Sequence, residues 1–240
     1  GAAASKAPDA VSIEASVIDT GEGRERWQED RLALIERASK PASLSVTALA
    51  GTEKDEAEGG EVPYRRGRGG ASLGRAVHAV LQSVDLATGE GLEAIARAQA
   101  MAEAIPDRWA EIVELASRAL SSLVVKRAVN SGRYYREVFV STPLNGTLLE
   151  GFIDLVFEED GALVIADYKT DSLEEEVALG QARERYAIQV GAYALAVQQA
   201  TSMPVREVVL VFLRPAKEVS FTDVSFLIEE ERKRVEALVI

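Results

Sequence analysis

A chain of 240 residues, 47% hydrophobic and 28% charged, is long enough to bury one substantial core and carry appendages. Its formal net charge of −12 argues against a freestanding, sequence-independent nucleic-acid binder, and no run reaches the roughly 18 apolar residues of a membrane helix. The absence of cysteine excludes disulfides, zinc–thiolate sites and cysteine-ligated iron–sulfur clusters, and fits a reducing cytoplasm.

The N-terminus, GAAASKAPDA, lacks the basic start and apolar run of a signal peptide, and with no initiator Met it fits an excised fragment. Residues 1–20 are expected to be poorly ordered. Residues 24–39 carry Trp27, Leu32, Leu34 and Ile35 at spacings that allow a helix, and residues 43–49 suit a short extended piece. Residues 52–71 are polar and Gly-rich, so residues 1–71 are expected to form an extension and linker. The RRGRGG stretch within it is a solvated loop or a phosphate-contacting one.

A compact domain is expected over residues 72–240. Leu73, Val77, Val80, Leu81 and Val84 recur at helical spacing, with Ser72 in the N-cap position. A second helix is expected over 92–104. A third opens at Asp107 after Pro106, carrying Trp109, Ile112, Val113, Ala116, Leu120, Leu123 and Val124 along one side. The period then shortens. Residues 134–142, 147–158 and 162–170 are strand-like, separated by Asn145-Gly146 and Asp160-Gly161, which makes an antiparallel meander. A long helix over roughly 174–200 follows, with Ser172 and Glu175 at capping-box spacing. Residues 205–213 form a nearly all-apolar strand suited to the sheet centre, followed by a short strand over 218–223 and a closing helix over 224–239. This order implies an α/β class, a mixed central sheet flanked by helices.

Charges interrupt the meander. Asp167 and Lys169 share one strand face with Leu163 and Ile165, which places the charges toward the strand's C-terminal end. If the Asp160-Gly161 turn centres the hairpin, residues whose numbers sum to about 321 face each other, and Asp154 meets position 167. Two carboxylates in one partly buried place repel unless a proton or a cation intervenes, and a hard divalent ion such as Mg²⁺ or Mn²⁺ resolves the clash. An adjacent lysine can orient or deprotonate a water or stabilise charge on a phosphate. Read in isolation, a D-x-K pair is more often a strand-end salt bridge. His78, the only histidine, borders its helix's apolar stripe and would by itself be a satisfied boundary residue.

Four blocks change that balance: LGRAVHAVLQ (73–82), GFIDLVFE (151–158), IADYKTD (165–171) and YAIQVGAYALA (186–196). In order and spacing, residues 72–215, about 60% of the chain, resemble the nuclease domain of the RecB/AddA class within the PD-(D/E)XK superfamily. The resemblance implies a restriction-endonuclease-like core. It implies His78, Asp154, Asp167 and the main-chain carbonyl of Tyr168 as metal ligands, and Lys169 as the catalytic lysine. Gln189 would sit beside the active site, with Tyr193, Tyr186 and Arg75 near the substrate strand. Glu150 and Glu137 are expected to be ordinary exposed strand charges.

By resemblance, the activity is Mg²⁺-dependent hydrolysis of DNA, single-stranded or at duplex ends, within a helicase–nuclease that repairs double-strand breaks; Mn²⁺ would substitute. Relatives of the AddB type hold an iron–sulfur cluster with four cysteines, so this chain resembles the cluster-free branch. No GxxxxGK[ST] loop occurs, so a helicase motor would lie upstream in cis or on a partner in trans. The alternatives are a catalytically silent DNA- or subunit-binding module, and a stand-alone nuclease acting on RNA.

Overall fold

The computed structural model describes residues 29, 31, 43–46, 72–144, 147–170 and 176–238. The chain divides into two units, residues 1–41 and 42–240, and the elements below belong to the second. The Asn145-Gly146 turn, the Ser172/Glu175 capping box, the RRGRGG loop and most of the 24–39 segment lie outside the described residues.

In chain order the elements are β1 (Ser43–Ser45), α1 (Ser72–Ser83), α2 (Leu92–Ala102), a 3₁₀ turn (Pro106–Arg108), α3 (Trp109–Ser121) and α4 (Leu123–Ser131). The meander β2 (Tyr134–Leu144), β3 (Thr147–Glu159) and β4 (Ala162–Lys169) follows. The long α5 (Glu176–Thr201), β5 (Val205–Phe212), β6 (Lys217–Phe221) and α6 (Val224–Leu238) complete the chain. The six strands form one mixed sheet in the order β1-β3-β4-β5-β6, with β2 along the other edge of β3. The α/β class and the mixed sheet are as the patterning implied. The sheet also draws in β1, which runs parallel to β3 upstream of the expected domain start.

Each sheet face has its own core, because alternate side chains of the central strands point to opposite sides. Leu163 and Ile165 pack with Tyr186, Val190, Leu195 and Phe212 on the α5–α6 side. Val164, Ala166 and Tyr168 pack with Leu73, Val77, Ile112 and Val125 on the α1–α4 side. At roughly 1.5–3 kcal/mol per fully buried large apolar side chain, these two layers supply most of the drive to fold.

The expected third helix is two helices. Ser122 is extended (φ −65°, ψ 153°) and its side chain accepts the Val125 N–H, so it ends α3 and caps α4. The restart rotates Leu123 off the apolar stripe and leaves it 64% exposed, whereas Val124 and Val125 are buried.

The Asp160-Gly161 turn has φ of 51° and 76°, a two-residue geometry that matches the twist of a hairpin. It sets β3 against β4 with Leu155 opposite Ala166 and Val156 opposite Ile165, the expected register. Arg127 of α4 fastens the turn end of this hairpin to β5. Its guanidinium lies 2.6 Å from Glu159 Oε2 and 2.7 Å from Glu207 Oε2. Hydrogen bonds from Arg127 hold the Glu159 carboxyl below the usual range. Burial works to raise the Glu207 carboxyl, but the Arg127 and Ser220 hydrogen bonds outweigh it and lower it too. Both carboxylates are depressed on folding, so their contribution is present above the ordinary glutamate pKa and lost as pH falls through the lower folded values. Arg127→Ala should cost about 1–2 kcal/mol at neutral pH, and urea unfolding should show this gap narrowing by about pH 3.

Candidate active site

The site lies where β3 stops pairing with β4. One edge of β3 is taken by β2 along its length. The other edge carries β1 at Leu148–Glu150 and β4 at Leu155–Glu159, leaving positions 151–154 in the fork between them. Asp154 is the first residue past the last paired position, Leu155. Its Oδ2 accepts the Tyr168 N–H at 2.7 Å, so a side-chain carboxylate replaces the strand carbonyl that the ladder would have supplied. In an extended strand a residue's N–H and C=O point to the same edge, so the Tyr168 carbonyl also faces this fork.

The irregularity has a counterpart on β2. Glu137, opposite Asp154, adopts φ 52°, and the ladder skips this pair between Arg136–Leu155 and Val138–Ile153. A left-handed backbone at a non-glycine residue costs of order 1–3 kcal/mol and tends to persist where function requires it. The facing of the strands changes here. Leu149 and Ile153 pack on the α5 side, whereas Leu155 and Phe157 pack on the α1 side.

His78 of α1 reaches Asp154 from the helical layer, with Nδ1 2.7 Å from Oδ1. One ligand atom each from His78, Glu137 and Asp154 lie within 4.8 Å of one another. Desolvation of the His78 ring lowers its pKa. The Asp154 charge and hydrogen bond, with Asp167 and Glu137, outweigh that effect and push it up to about 9. Burial would raise the Asp154 carboxyl, but the His78 charge and hydrogen bond and the Tyr168 amide hold it below the usual range.

Asp167 is 5% exposed, and burial pushes its carboxyl up, aided by the Asp154 charge and opposed by Lys169. Lys169 Nζ lies 2.7 Å from Asp167 Oδ2. That approach is near enough for charge but poorly angled for a hydrogen bond, so this buried oxygen has no hydrogen-bond donor among the described residues. Lys169 Nζ donates instead to Gln189 Oε1 at 2.8 Å and sits 4.6 Å from the centre of the Tyr186 ring. Gln189 Nε2 in turn lies 3.4 Å from the Tyr193 hydroxyl. Tyr193 fills the fork from α5: a Cβ added at Gly151 would come within 2.9 Å of its ring. A glycine is therefore required there, between Val46 and Tyr193.

A donor set of one imidazole and carboxylate oxygens suits a hard or borderline divalent cation. The buried Asp167 oxygen that lacks a donor points to the same occupant, so the residues fit a metal. Ligation needs the neutral ring, so a cation entering the cluster would release the His78 proton.

Residues 50–238 match the model of the PD-(D/E)XK nuclease superfamily. The chain belongs to this superfamily. Curated relatives named as the first subunit of an ATP-dependent helicase/nuclease match it as well. The protein from a Thermoanaerobacter species is 30% identical over 163 residues, covering 60% of this chain and 13% of the relative. The Bacillus pumilus protein is 28% identical over 201 residues, covering 80% of this chain and 15% of the relative. The Bacillus cytotoxicus protein is 32% identical over 167 residues, covering 59% of this chain and 13% of the relative. The chain thus spans about one seventh of their length.

Within this superfamily member, His78, Asp154, Asp167, Lys169 and Gln189 converge on the fork, joined by direct contacts and by charge. Tyr186 and Tyr193 are each only 3% exposed, so their rings brace Lys169 and Gln189 from within the core. Arg75 stands apart from the convergence. Its Nε donates to Glu103 Oε2 at 2.8 Å and its Nη2 to Ser72 Oγ at 2.9 Å. Glu137 corrects an expectation: the structure folds it into the metal cluster, through a backbone kink that strand alternation cannot foresee. Among the described residues, no helix is long and apolar enough to cross a membrane.

If Glu137 shares the cation, Glu137→Gln should weaken Mn²⁺ binding about tenfold or more by calorimetric titration. An unchanged affinity would remove Glu137 from the ligand set.

Proposed function

We propose that the chain is a Mg²⁺-dependent deoxyribonuclease, with the nuclease in residues 72–240 and Ser43–Ser45 as an added strand. It would serve as the nuclease domain of a cytoplasmic helicase–nuclease in double-strand-break repair. The motor would lie in cis upstream or in trans. The name of the curated relatives supports the helicase connection, and the superfamily supports the nuclease. The supporting observation in the site is the buried Asp167 oxygen without a donor, beside a His78–Glu137–Asp154 cluster and a pinned lysine.

In this reading His78, Asp154, Asp167 and the Tyr168 carbonyl hold the cation, with Glu137 alongside. When bound, the cation lowers the pKa of attacking water and offsets charge on the phosphate. Lys169 directs a water hydrogen-bonded to its ammonium toward phosphorus. The water oxygen bonds to phosphorus, the bond to the 3′-oxygen breaks, and the leaving oxygen takes a proton from solvent. Gln189 fixes where the Lys169 ammonium stands, and Tyr186 and Tyr193 hold Gln189 and Lys169 together. Such positioning contributes to rate because misplacement by an ångström is costly. A phosphate contact by Arg75 would require it to leave Glu103.

Asp167→Ala and Lys169→Ala should each lower cleavage of single-stranded DNA in Mg²⁺ by at least a hundredfold, the scale of losing a positioned charge in a transition state. The proteins should still fold, because large-to-small changes at the fork relieve carboxylate crowding. Wild-type rates in both variants would refute the assignment. If the wild-type chain cut RNA and spared DNA of the same sequence, the substrate would be reassigned.

A further inference from the structure

Two aromatic rings stand on the sheet surface next to the fork, and nothing in the nuclease reading uses them. Phe139 of β2 pairs with Phe152 of β3, their ring centres 5.2 Å apart and tilted by 53°. Phe139 is 54% exposed. Burying a phenylalanine would stabilise the fold, so one left on an edge strand beside a charged fork calls for an occupant.

The position of the pair names that occupant. Phe152 and Asp154 are two residues apart on β3, so they share a sheet face and their Cα atoms are separated by about 7 Å. Ile153 between them packs on the opposite, α5 side. Asp154 faces His78 of α1, so the aromatic pair lies on the same side of the sheet as the cluster. On β2 the order is repeated: Phe139 follows Glu137 by two residues. The platform is therefore continuous with the candidate metal cluster and about one nucleotide's reach from it.

We propose that the Phe139–Phe152 pair stacks a base of single-stranded DNA and so sets the strand whose phosphate reaches the fork. The proposal rests on the nuclease reading for the identity of the strand. Stacking suits this surface better than charge attraction does. The chain carries a net charge of −12, and the residues flanking the pair along the two strands are the carboxylates Glu137, Glu150 and Asp154. Every base presents a π-face, so such a platform is tolerant of sequence. Bases in a duplex are stacked on each other and closed to Phe139, so the pair favours single strands or frayed ends.

The test uses the 240-residue chain carrying Lys169→Ala, with Mg²⁺ present, and a single-stranded oligodeoxynucleotide containing 2-aminopurine. Adding Phe139→Ala should weaken binding about tenfold and abolish the quenching that stacking causes, within the range for loss of one base–aromatic contact. Phe139→Trp should restore both, and Phe139→Leu, which keeps the apolar surface but removes the ring, should not. Phe226→Ala, which removes a similarly exposed aromatic on α6, should bind like the parent. The proposal is overturned if Phe139→Ala binds like the parent, or if Phe139→Leu binds as well as Phe139→Trp, the result expected of an apolar surface made for a protein partner. Failure of the nuclease reading looks different: Mg²⁺-loaded chain with Lys169 intact would leave the strand uncut, whatever the Phe139 variants bind.

Discussion

Three carboxylates and one imidazole occupy a fork in a sheet, and the rest of the site follows from how that crowding is relieved. Asp154 and Asp167 each raise or lower the other's proton affinity, and Glu137 adds a third charge near His78. Within the chain itself the offset comes from two cationic side chains. The His78 ring holds its proton up to about pH 9, and Lys169 stands 2.7 Å from Asp167. Neither gives the buried Asp167 oxygen a hydrogen-bond donor. The arrangement is thus complete in charge and incomplete in ligation, which is the condition a divalent cation satisfies.

The fold creates this condition by ending one strand pair early. While β3 and β4 remain zipped, their residues serve two ordinary apolar cores. One step past Leu155–Ala166 the backbone donor of Tyr168 turns to a side chain, and the strands part. From there each neighbour contributes one group: α1 brings His78, the kinked β2 brings Glu137, and α5 brings Gln189 and two tyrosines. Because β4 runs parallel to β5 through the centre of the sheet, Asp167 and Lys169 stand on the best-supported strand. Rigidity beneath the charges keeps them from relaxing apart, and so preserves the crowding that a cation would relieve.

Much of this could be read from the residues because short-range rules fixed it. A two-residue Asp-Gly turn permits one register, and that register places Asp154 one step from Asp167. The helical spacing of Leu73, Val77, Val80 and Leu81 fixed the buried face of α1. His78 was harder: its spacing marked only the stripe's edge, and the resemblance of its block supplied the role that its contact with Asp154 now supports. Glu137 escaped because nothing in YYREVFV signals a left-handed glutamate; the kink arises from the geometry of the fork, not from local preference. Ser122 escaped for the opposite reason. A continuous apolar period outweighed a capping serine that was visible in the sequence. The tyrosines of α5 were placed correctly on the side of Gln189, but their burial depends on Gly151 and Val46, which are distant in sequence.

The central claim is that the fork is a cation site built from His78, Glu137, Asp154 and Asp167. The direct measurement is anomalous diffraction from crystals of the 240-residue chain soaked in Mn²⁺. The account predicts a peak within bonding distance of Asp154 and Asp167 carboxylate oxygens and a His78 ring nitrogen, with the Lys169 ammonium turned aside toward Gln189. A fork left empty at saturating Mn²⁺, with the Lys169–Asp167 pair intact, would contradict it.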